Sequence, residues 1–220
     1  MTKYWCITMN RKYFIFDLDD TLLYELDYLK SAYHEIARTI GETGLYDEMM
    51  ALYHEGQDVF GMIENKHKIS KNLLLHSYRV HFPTLSLKED AAAIIREIKK
   101  KGHLLGLISD GRSIAQRNKL KALGLESSFD KIVISEEIGS EKPSLQNFEV
   151  FITSDITTYY YIGDNLKKDF ITPTKLGWTT FCLRDKGFNI HPQSFAYPPT
   201  HLPTYRIDNL LELMPFLSDK

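Results

Sequence analysis

The chain has 220 residues, of which 43% are hydrophobic and 25% are charged, an ordinary globular composition with enough apolar residues for a core. A net charge of −2 and a pI near 6.4 offer no basic surface for nucleic acid or for a membrane. The two cysteines, Cys6 and Cys182, are too few for a disulfide framework, and no segment has the pattern of a signal peptide or a membrane-spanning helix. We therefore expect a cytoplasmic protein whose partners include neither nucleic acid nor a membrane.

The first predicted element is a short apolar strand, "YFIF" at residues 13–16, which follows a loose extension over residues 1–10. Residues 24–86 then have a helical pattern throughout, although a single crossover between parallel strands needs far fewer residues. This segment therefore predicts an inserted helical unit, hinged where it leaves and rejoins the chain. The predicted domains are an α-helical cap, residues 23–86, and a core formed by residues 1–22 and 87–220.

Beyond the predicted cap, short β-like runs alternate with helical patterns. The predicted helices cover residues 88–101, 112–123, 144–153 and 166–176, and the predicted strands cover residues 103–109, 131–135, 158–164 and 178–183. A proline-rich loop at 191–204, a short strand near 205–207 and a final helix near 209–217 complete the chain. The alternation predicts an α/β core with a doubly wound parallel sheet. In such sheets, ligands bind beyond the carboxyl ends of the strands.

Polar side chains follow the predicted strands at their carboxyl ends. The first strand runs directly into Asp17, Asp19 and Asp20, and carboxylates crowded at the end of a buried segment are costly unless a cation neutralises them. The other polar residues at strand ends or in the loops after them are Thr21, Ser109, Lys142, Asp164 and Asp169. In an open parallel sheet, all of these positions would converge on one crevice.

The motifs, in this order, resemble those of the haloacid dehalogenase-like (HAD) hydrolase superfamily, most of whose members are phosphatases. The corresponding strings are "FIFDLDDT", "LLGLIS", "SEKPS" and "GDNLKKD", and the resemblance covers residues 13 to 183. It implies a Rossmann-like core. The helical segment directly after the first motif is similar to the family's α-helical cap of the first type.

The resemblance also implies a mechanism that suits these residue types. An aspartate can act as a covalent nucleophile toward phosphorus, and by resemblance this residue is Asp17. Asp19 would act as general acid and base. The implied cofactor is Mg²⁺, a hard cation that prefers oxygen ligands, held by the Asp17 and Asp164 carboxylates and the Asp19 backbone carbonyl.

Further residues of the motifs have implied roles in binding the substrate phosphate or in supporting the site. Ser109, Asp110, Gly111 and Lys142 would bind the phosphate, with Lys142 supplying fixed positive charge. Many relatives have Asn where this chain has Asp110, whose negative charge would weaken phosphate binding if its side chain faced the phosphate. The residues with supporting roles are Thr21, expected to hydrogen-bond within the turn, Asp169, expected to orient Lys142 or a metal-bound water, and Asp20, for which a capping role and a catalytic role are equally favoured.

The sequence therefore predicts a Mg²⁺-dependent phosphatase acting on a small phosphorylated metabolite. A phosphomutase of the same fold is the main alternative, because it would keep Asp19. A dehalogenase is disfavoured because a halide leaving group needs no proton, and a receiver-type signalling module because its acids and lysine occur in a different order. The sequence does not distinguish a monomer from a homodimer.

Overall fold

The computed structural model describes residues 10–218 as an α/β fold around one six-stranded parallel sheet. Strands β1 to β6 are Lys12–Phe16, Leu104–Ser109, Lys131–Ile134, Thr158–Gly163, Thr179–Leu183 and Tyr205–Ile207, in the order β3-β2-β1-β4-β5-β6. The chain thus builds one side of the sheet outward from β1 and then returns to build the other side from β4. The predicted doubly wound parallel sheet is confirmed, and the predicted extension over residues 1–10 lies outside the described residues except for Asn10.

The helices α1 to α9 are Glu25–Ile40, Leu45–His54, Val59–His67, Lys71–Val80, Glu89–Lys100, Ser113–Ala122, Ser135–Ile138, Gln146–Glu149 and Ile171–Lys175. Two 3-10 helices, Pro199–His201 and Leu210–Leu217, follow β5 and β6. Within residues 10–218, the structure has no helix that is both long and apolar enough to cross a membrane.

The central strand β1 is buried on both faces of the sheet. Its side chains alternate, as a strand requires: Phe14 and Phe16 join an apolar cluster with α5, whereas Tyr13 and Ile15 join a second cluster on the opposite face. Because both faces are covered, β1 is a continuous apolar run rather than an alternating one. The residues that follow it are consequently held in a fixed position.

Helices α1 to α4 form the segment predicted as the cap, and they pack around an apolar cluster of their own, which includes Leu29, Tyr33 and Met49. The chain enters and leaves this segment at adjacent points, because the backbone N–H of Lys88 donates to the carbonyl of Leu22 at 3.0 Å. The division into a core and a cap domain remains a prediction that this packing supports.

Three predicted helices differ from the structure. The segment at 144–153 is helical only over Gln146–Glu149, and the segment at 166–176 only over Ile171–Lys175, because turns with hydrogen bonds between residues three apart replace the remainder. The final helix is a 3-10 helix that contains Pro215, a residue without an N–H to donate.

Candidate active site

The carboxyl ends of β1, β2 and β4 bring the predicted site residues to one edge of the sheet. Strand β1 lies between the other two, with Phe16 in register with Leu107 and Ile162. Asp17 follows β1, Ser109 ends β2 and Asp164 follows β4. A cavity of about 130 Å³ opens here, and it is lined by Asp17, Asp19, Asp20, Glu25, Ser109, Asp110, Asp164, Asn165, Lys168 and His191.

Lys142 lies against Asp17 rather than in the lining of this cavity. Its ammonium donates to Asp17 Oδ1 at 2.5 Å, lies 2.8 Å from Asp169 Oδ1 and lies 3.3 Å from the Tyr161 hydroxyl. Asp169 is completely buried, and its Oδ2 accepts the backbone N–H groups of Asp164 and Asn165 at 3.2 and 2.8 Å. Asp169 therefore contacts Lys142 directly, which is the geometry that one of its two expected roles requires.

Burial dominates the electrostatics of these acids. It raises the pKa of Asp17 to about 7, although the Lys142 ammonium acts in the opposite direction. Burial, reinforced by Asp169 and Asp17, likewise raises the pKa of Asp164. Burial alone would lower the pKa of Lys142, but the two neighbouring carboxylates reverse this effect and raise it, so that Lys142 carries a permanent charge. A second positive charge next to Asp17 and Asp164 would lower the cost of their ionised forms.

The donor set at this edge fits a hard divalent cation. Asp17, Asp164 and Asp169 each offer a carboxylate oxygen within 4.8 Å of the others. Asp169 is already paired with Lys142 and two backbone N–H groups, so Asp17 and Asp164 are the two carboxylates that could hold a metal ion. One oxygen of Asp17 accepts a hydrogen bond from Lys142, and one oxygen of Asp164 accepts a hydrogen bond from Asn189. The other oxygen of each carboxylate accepts no hydrogen bond from any described residue. Two buried carboxylates, each with an available oxygen, suit Mg²⁺, which binds few protein carboxylates and keeps several other oxygen ligands.

The Asp19 carboxylate accepts hydrogen bonds from two side chains of α6. Both of its carboxylate oxygens accept from Lys119 Nζ, at 2.7 and 2.8 Å, and Oδ2 also accepts from Gln116 Nε2 at 3.3 Å. The Lys119 ammonium in addition lies 4.2 Å from the centre of the Tyr28 ring. These contacts fix the orientation of the Asp19 side chain. Neither Lys119 nor Gln116 was identified from the sequence.

Asp110 does not present an uncompensated charge to the cavity. Its Oδ2 accepts from Lys168 Nζ at 2.7 Å, and its Oδ1 accepts the backbone N–H of Lys142 at 3.1 Å. Lys168, which also lines the cavity, thus compensates the charge of Asp110. Lys168 lies inside the fourth motif, in which the sequence pattern indicates roles only for Asp164 and Asp169.

Gly111 and Thr21 have contacts that differ from expectation, whereas Asp20 has a contact that agrees with one of its two expected roles. The N–H of Gly111 donates to Ser135 Oγ at 2.9 Å, and Gly111, with a φ of 140°, is not among the residues lining the cavity. The hydroxyl of Thr21 is buried without a hydrogen-bond partner among the described residues, so the expected bond within the turn is absent. Asp20 accepts the N–H of Glu25 at 2.9 Å, which supports its capping role at the start of α1.

The loop after β5 forms one wall of the site, although no motif pointed to it. Asn189 Nδ2 donates to Asp164 Oδ2 at 2.8 Å, and the N–H of Ile190 donates to Asp20 Oδ2 at 3.1 Å. Asp185 stabilises the turn by accepting three consecutive backbone N–H groups with one oxygen. His191 then lines the cavity. Only the three-dimensional fold brings this loop to the first and fourth motifs.

Comparison with known proteins agrees with this geometry. A family model described as haloacid dehalogenase-like hydrolase matches residues 14–182. The chain belongs to this family. The resemblance to the HAD superfamily that the sequence motifs indicated is therefore confirmed.

Two curated relatives of this HAD hydrolase are both named glyceraldehyde 3-phosphate phosphatase. The protein from Methanopyrus kandleri is 28% identical over 91% of this chain and 94% of its own length. The protein from Methanothermobacter thermautotrophicus is 30% identical over 78% of this chain and 84% of its own length. The predicted enzyme class, a phosphoric monoester hydrolase, is confirmed at this level.

Among solved structures, the HAD hydrolase YfnB from Bacillus subtilis, described as bound to magnesium and as showing interdomain movement, has a TM-score of 0.71 to this chain. The two are 22% identical, and the match covers 96% of this chain and all of YfnB. At this level of identity, the likeness shows the fold alone.

Proposed function

We propose that this HAD hydrolase is a Mg²⁺-dependent phosphatase that hydrolyses a small phosphorylated metabolite through an aspartyl-phosphate on Asp17. One observation carries the proposal: the buried Asp17 carboxylate is fixed by Lys142 through one oxygen, while its other oxygen has no hydrogen-bond partner among the described residues, in a cavity shared with Asp19, Ser109 and Asp164. A carboxylate that is held in place and keeps an available oxygen is suited to attack phosphorus. The cytoplasmic setting and the cap over residues 23–86 belong to the same proposal.

In the first step, the available oxygen of Asp17 attacks phosphorus, and the bond between phosphorus and the leaving oxygen breaks. The leaving oxygen takes a proton from the carboxyl group of Asp19. In the second step, Asp19 is a carboxylate and accepts a proton from a water molecule that attacks the aspartyl-phosphate. Inorganic phosphate leaves, and Asp17 is regenerated.

Fixed positive charge and hydrogen-bond donors would stabilise the transferring phosphoryl group. Ser109 and Lys168 line the cavity and can contact its oxygens, and Lys142 balances the charge of Asp17 from behind. Such preorganised groups act most strongly where water is excluded. Closure of the cap over the cavity would exclude it.

The proposed Mg²⁺ would be held by the carboxylates of Asp17 and Asp164 and the backbone carbonyl of Asp19. When bound, it would neutralise the two carboxylates and act as a Lewis acid on the phosphoryl group. The buried position of both acids and their available oxygens support this assignment.

Glyceraldehyde 3-phosphate is the first substrate to test, because two relatives that match most of this chain carry the corresponding phosphatase name. The experiment is a phosphate-release screen over phosphorylated metabolites, with and without EDTA. Asp17→Asn and Asp19→Asn should abolish Mg²⁺-dependent release with folding intact, whereas Asp155→Asn, an exposed site, should have no effect.

Two results of this screen would contradict the proposal. Near-normal turnover by Asp17→Asn would show that Asp17 is not the nucleophile, and activity that persists in EDTA would show that no metal ion is required. Transfer of phosphate between two positions of a sugar without release would instead identify the phosphomutase alternative.

A further inference from the structure

Lys119 is a buried cation that neither the four motifs nor the proposed mechanism uses. Its residue exposure is 2%, and it lies on α6, the helix that follows the second motif. Removing an ammonium group from water costs several kcal/mol unless it is closely paired. A cation in this position therefore indicates a specific partner, and that partner is Asp19.

The contact between Lys119 and Asp19 restrains the carboxylate at both oxygens. The two N–O distances differ by 0.1 Å, at 2.7 and 2.8 Å, so the ammonium lies almost symmetrically between them. Gln116 lies one helical turn before Lys119 and adds a third contact at 3.3 Å, because residues three apart share a helix face. Two side chains of one helix thus fix the orientation of Asp19.

Lys119 also contacts the predicted cap. The face of the Tyr28 ring, on α1, lies 4.2 Å from the ammonium, an arrangement that stabilises a cation. The hydroxyl of Tyr28 donates to the carbonyl of Tyr78 on α4 at 2.8 Å, which fixes the ring. The lysine is therefore restrained between the sheet-side helix α6 and two helices of the insert.

We infer that Lys119 is a positioning residue that orients the Asp19 side chain for the second step, in which Asp19 accepts a proton from the attacking water. This inference rests on the proposed function, because it needs an aspartyl-phosphate for that water to attack. Transfer of the phosphoryl group to Asp17 from a substrate with a good leaving group needs no proton from Asp19. Loss of Lys119 should therefore slow the second step far more than the first step with such a substrate.

The test is pre-steady-state hydrolysis of 4-nitrophenyl phosphate in the presence of Mg²⁺. In Lys119→Met, nitrophenolate release should show a burst of about one equivalent per enzyme, followed by turnover roughly 10- to 100-fold slower than in the wild type, the range expected when a catalytic group is misplaced. Acid-quenched samples with ³²P-labelled substrate should then contain more phosphorylated enzyme. Lys119→Arg should turn over faster than Lys119→Met after the burst, because arginine keeps the positive charge. Lys121→Met, an exposed site on the same helix, should match the wild type.

The possible failures are distinguishable. If the wild type forms a phosphoenzyme but Lys119→Met slows both steps equally, or neither, the positioning role is wrong. If the wild type forms no phosphoenzyme and Asp17→Asn still turns over, the proposed function itself is wrong. Lys119→Gln, which keeps a hydrogen-bond donor, provides the same comparison if the methionine variant does not fold, with the urea midpoint as the check on folding.

Discussion

Replacing Asp169 by asparagine tests the charge network behind the proposed nucleophile. The carboxylate is completely buried and contacts Lys142 through Oδ1 and two backbone N–H groups through Oδ2. An asparagine has one oxygen, so its NH₂ group must face either the ammonium or the two N–H donors. In each arrangement, the NH₂ group points at another hydrogen-bond donor in a completely buried position.

The magnitude follows from these contacts. Removing one partner of a buried ion pair costs about 3–5 kcal/mol, and Lys142 keeps Asp17 as a second partner, so we expect a loss near the lower limit, about 3 kcal/mol. For a chain of this length, that loss lowers Tm by roughly 6–12 °C. Lys142 should also lose its fixed position, and kcat should fall.

Stability is measured by urea unfolding of the metal-free protein, monitored by circular dichroism. Activity is measured as phosphate release in the presence of Mg²⁺. Asp155→Asn is the matched control, because it makes the same chemical change at an exposed residue and should alter stability by less than about 0.5 kcal/mol. A loss below about 1 kcal/mol in Asp169→Asn would show that the buried charge is dispensable and would refute the reasoning.

Three further predictions concern the same edge of the sheet. A Cβ at Gly163 would lie 2.5 Å from Asp169 Oδ2, so Gly163→Ala should displace that carboxylate and destabilise the protein by about 1–3 kcal/mol in urea unfolding. Burial raises the pKa of Asp17 from 3.8 to about 7, so between these pH values the folded state binds a proton that the unfolded state has released. The stability of the metal-free protein should therefore fall as pH rises from 3.8 to about 7, and Asp17→Asn should flatten this slope in a series of urea midpoints. Lys168→Met should raise KM, and the inhibition constant of inorganic phosphate, by roughly tenfold, whereas an effect on kcat alone would contradict a phosphate-binding role.

The sequence predicted the acids and Ser109 of the site because their positions depend only on strand order. Residues that directly follow neighbouring parallel strands must meet at one edge, and Asp17, Ser109 and Asp164 do. The burial of Asp169 beside Lys142 also agrees with one of its expected roles. These residues adjoin the ends of strands, whose identity was evident from their apolar runs.

Residues that reach the site from elsewhere could not be found in the same way. Lys119 has the sequence pattern of an exposed helical lysine, and its burial depends on how α6 packs against α1 and α4. Asn189 reaches Asp164 from an irregular loop whose course no periodicity encodes. Helical spacing also failed at 144–153, where Leu145 and Ile152 are each 50% exposed while Phe151 is buried, because the regular helix ends at Glu149.

The hydrogen bond between Lys88 and Leu22 joins the two ends of the inserted helices. Since those ends are neighbours, the insert could be exchanged for another of different size without changing the spacing between β1 and α5, much as insertions are tolerated at closely spaced surface points. The core and its four motifs would be unaltered, while Glu25, which lines the cavity from α1, would be exchanged together with the rest of the insert. Such a junction would let the insert change in length or sequence without displacing the residues at the ends of β1, β2 and β4.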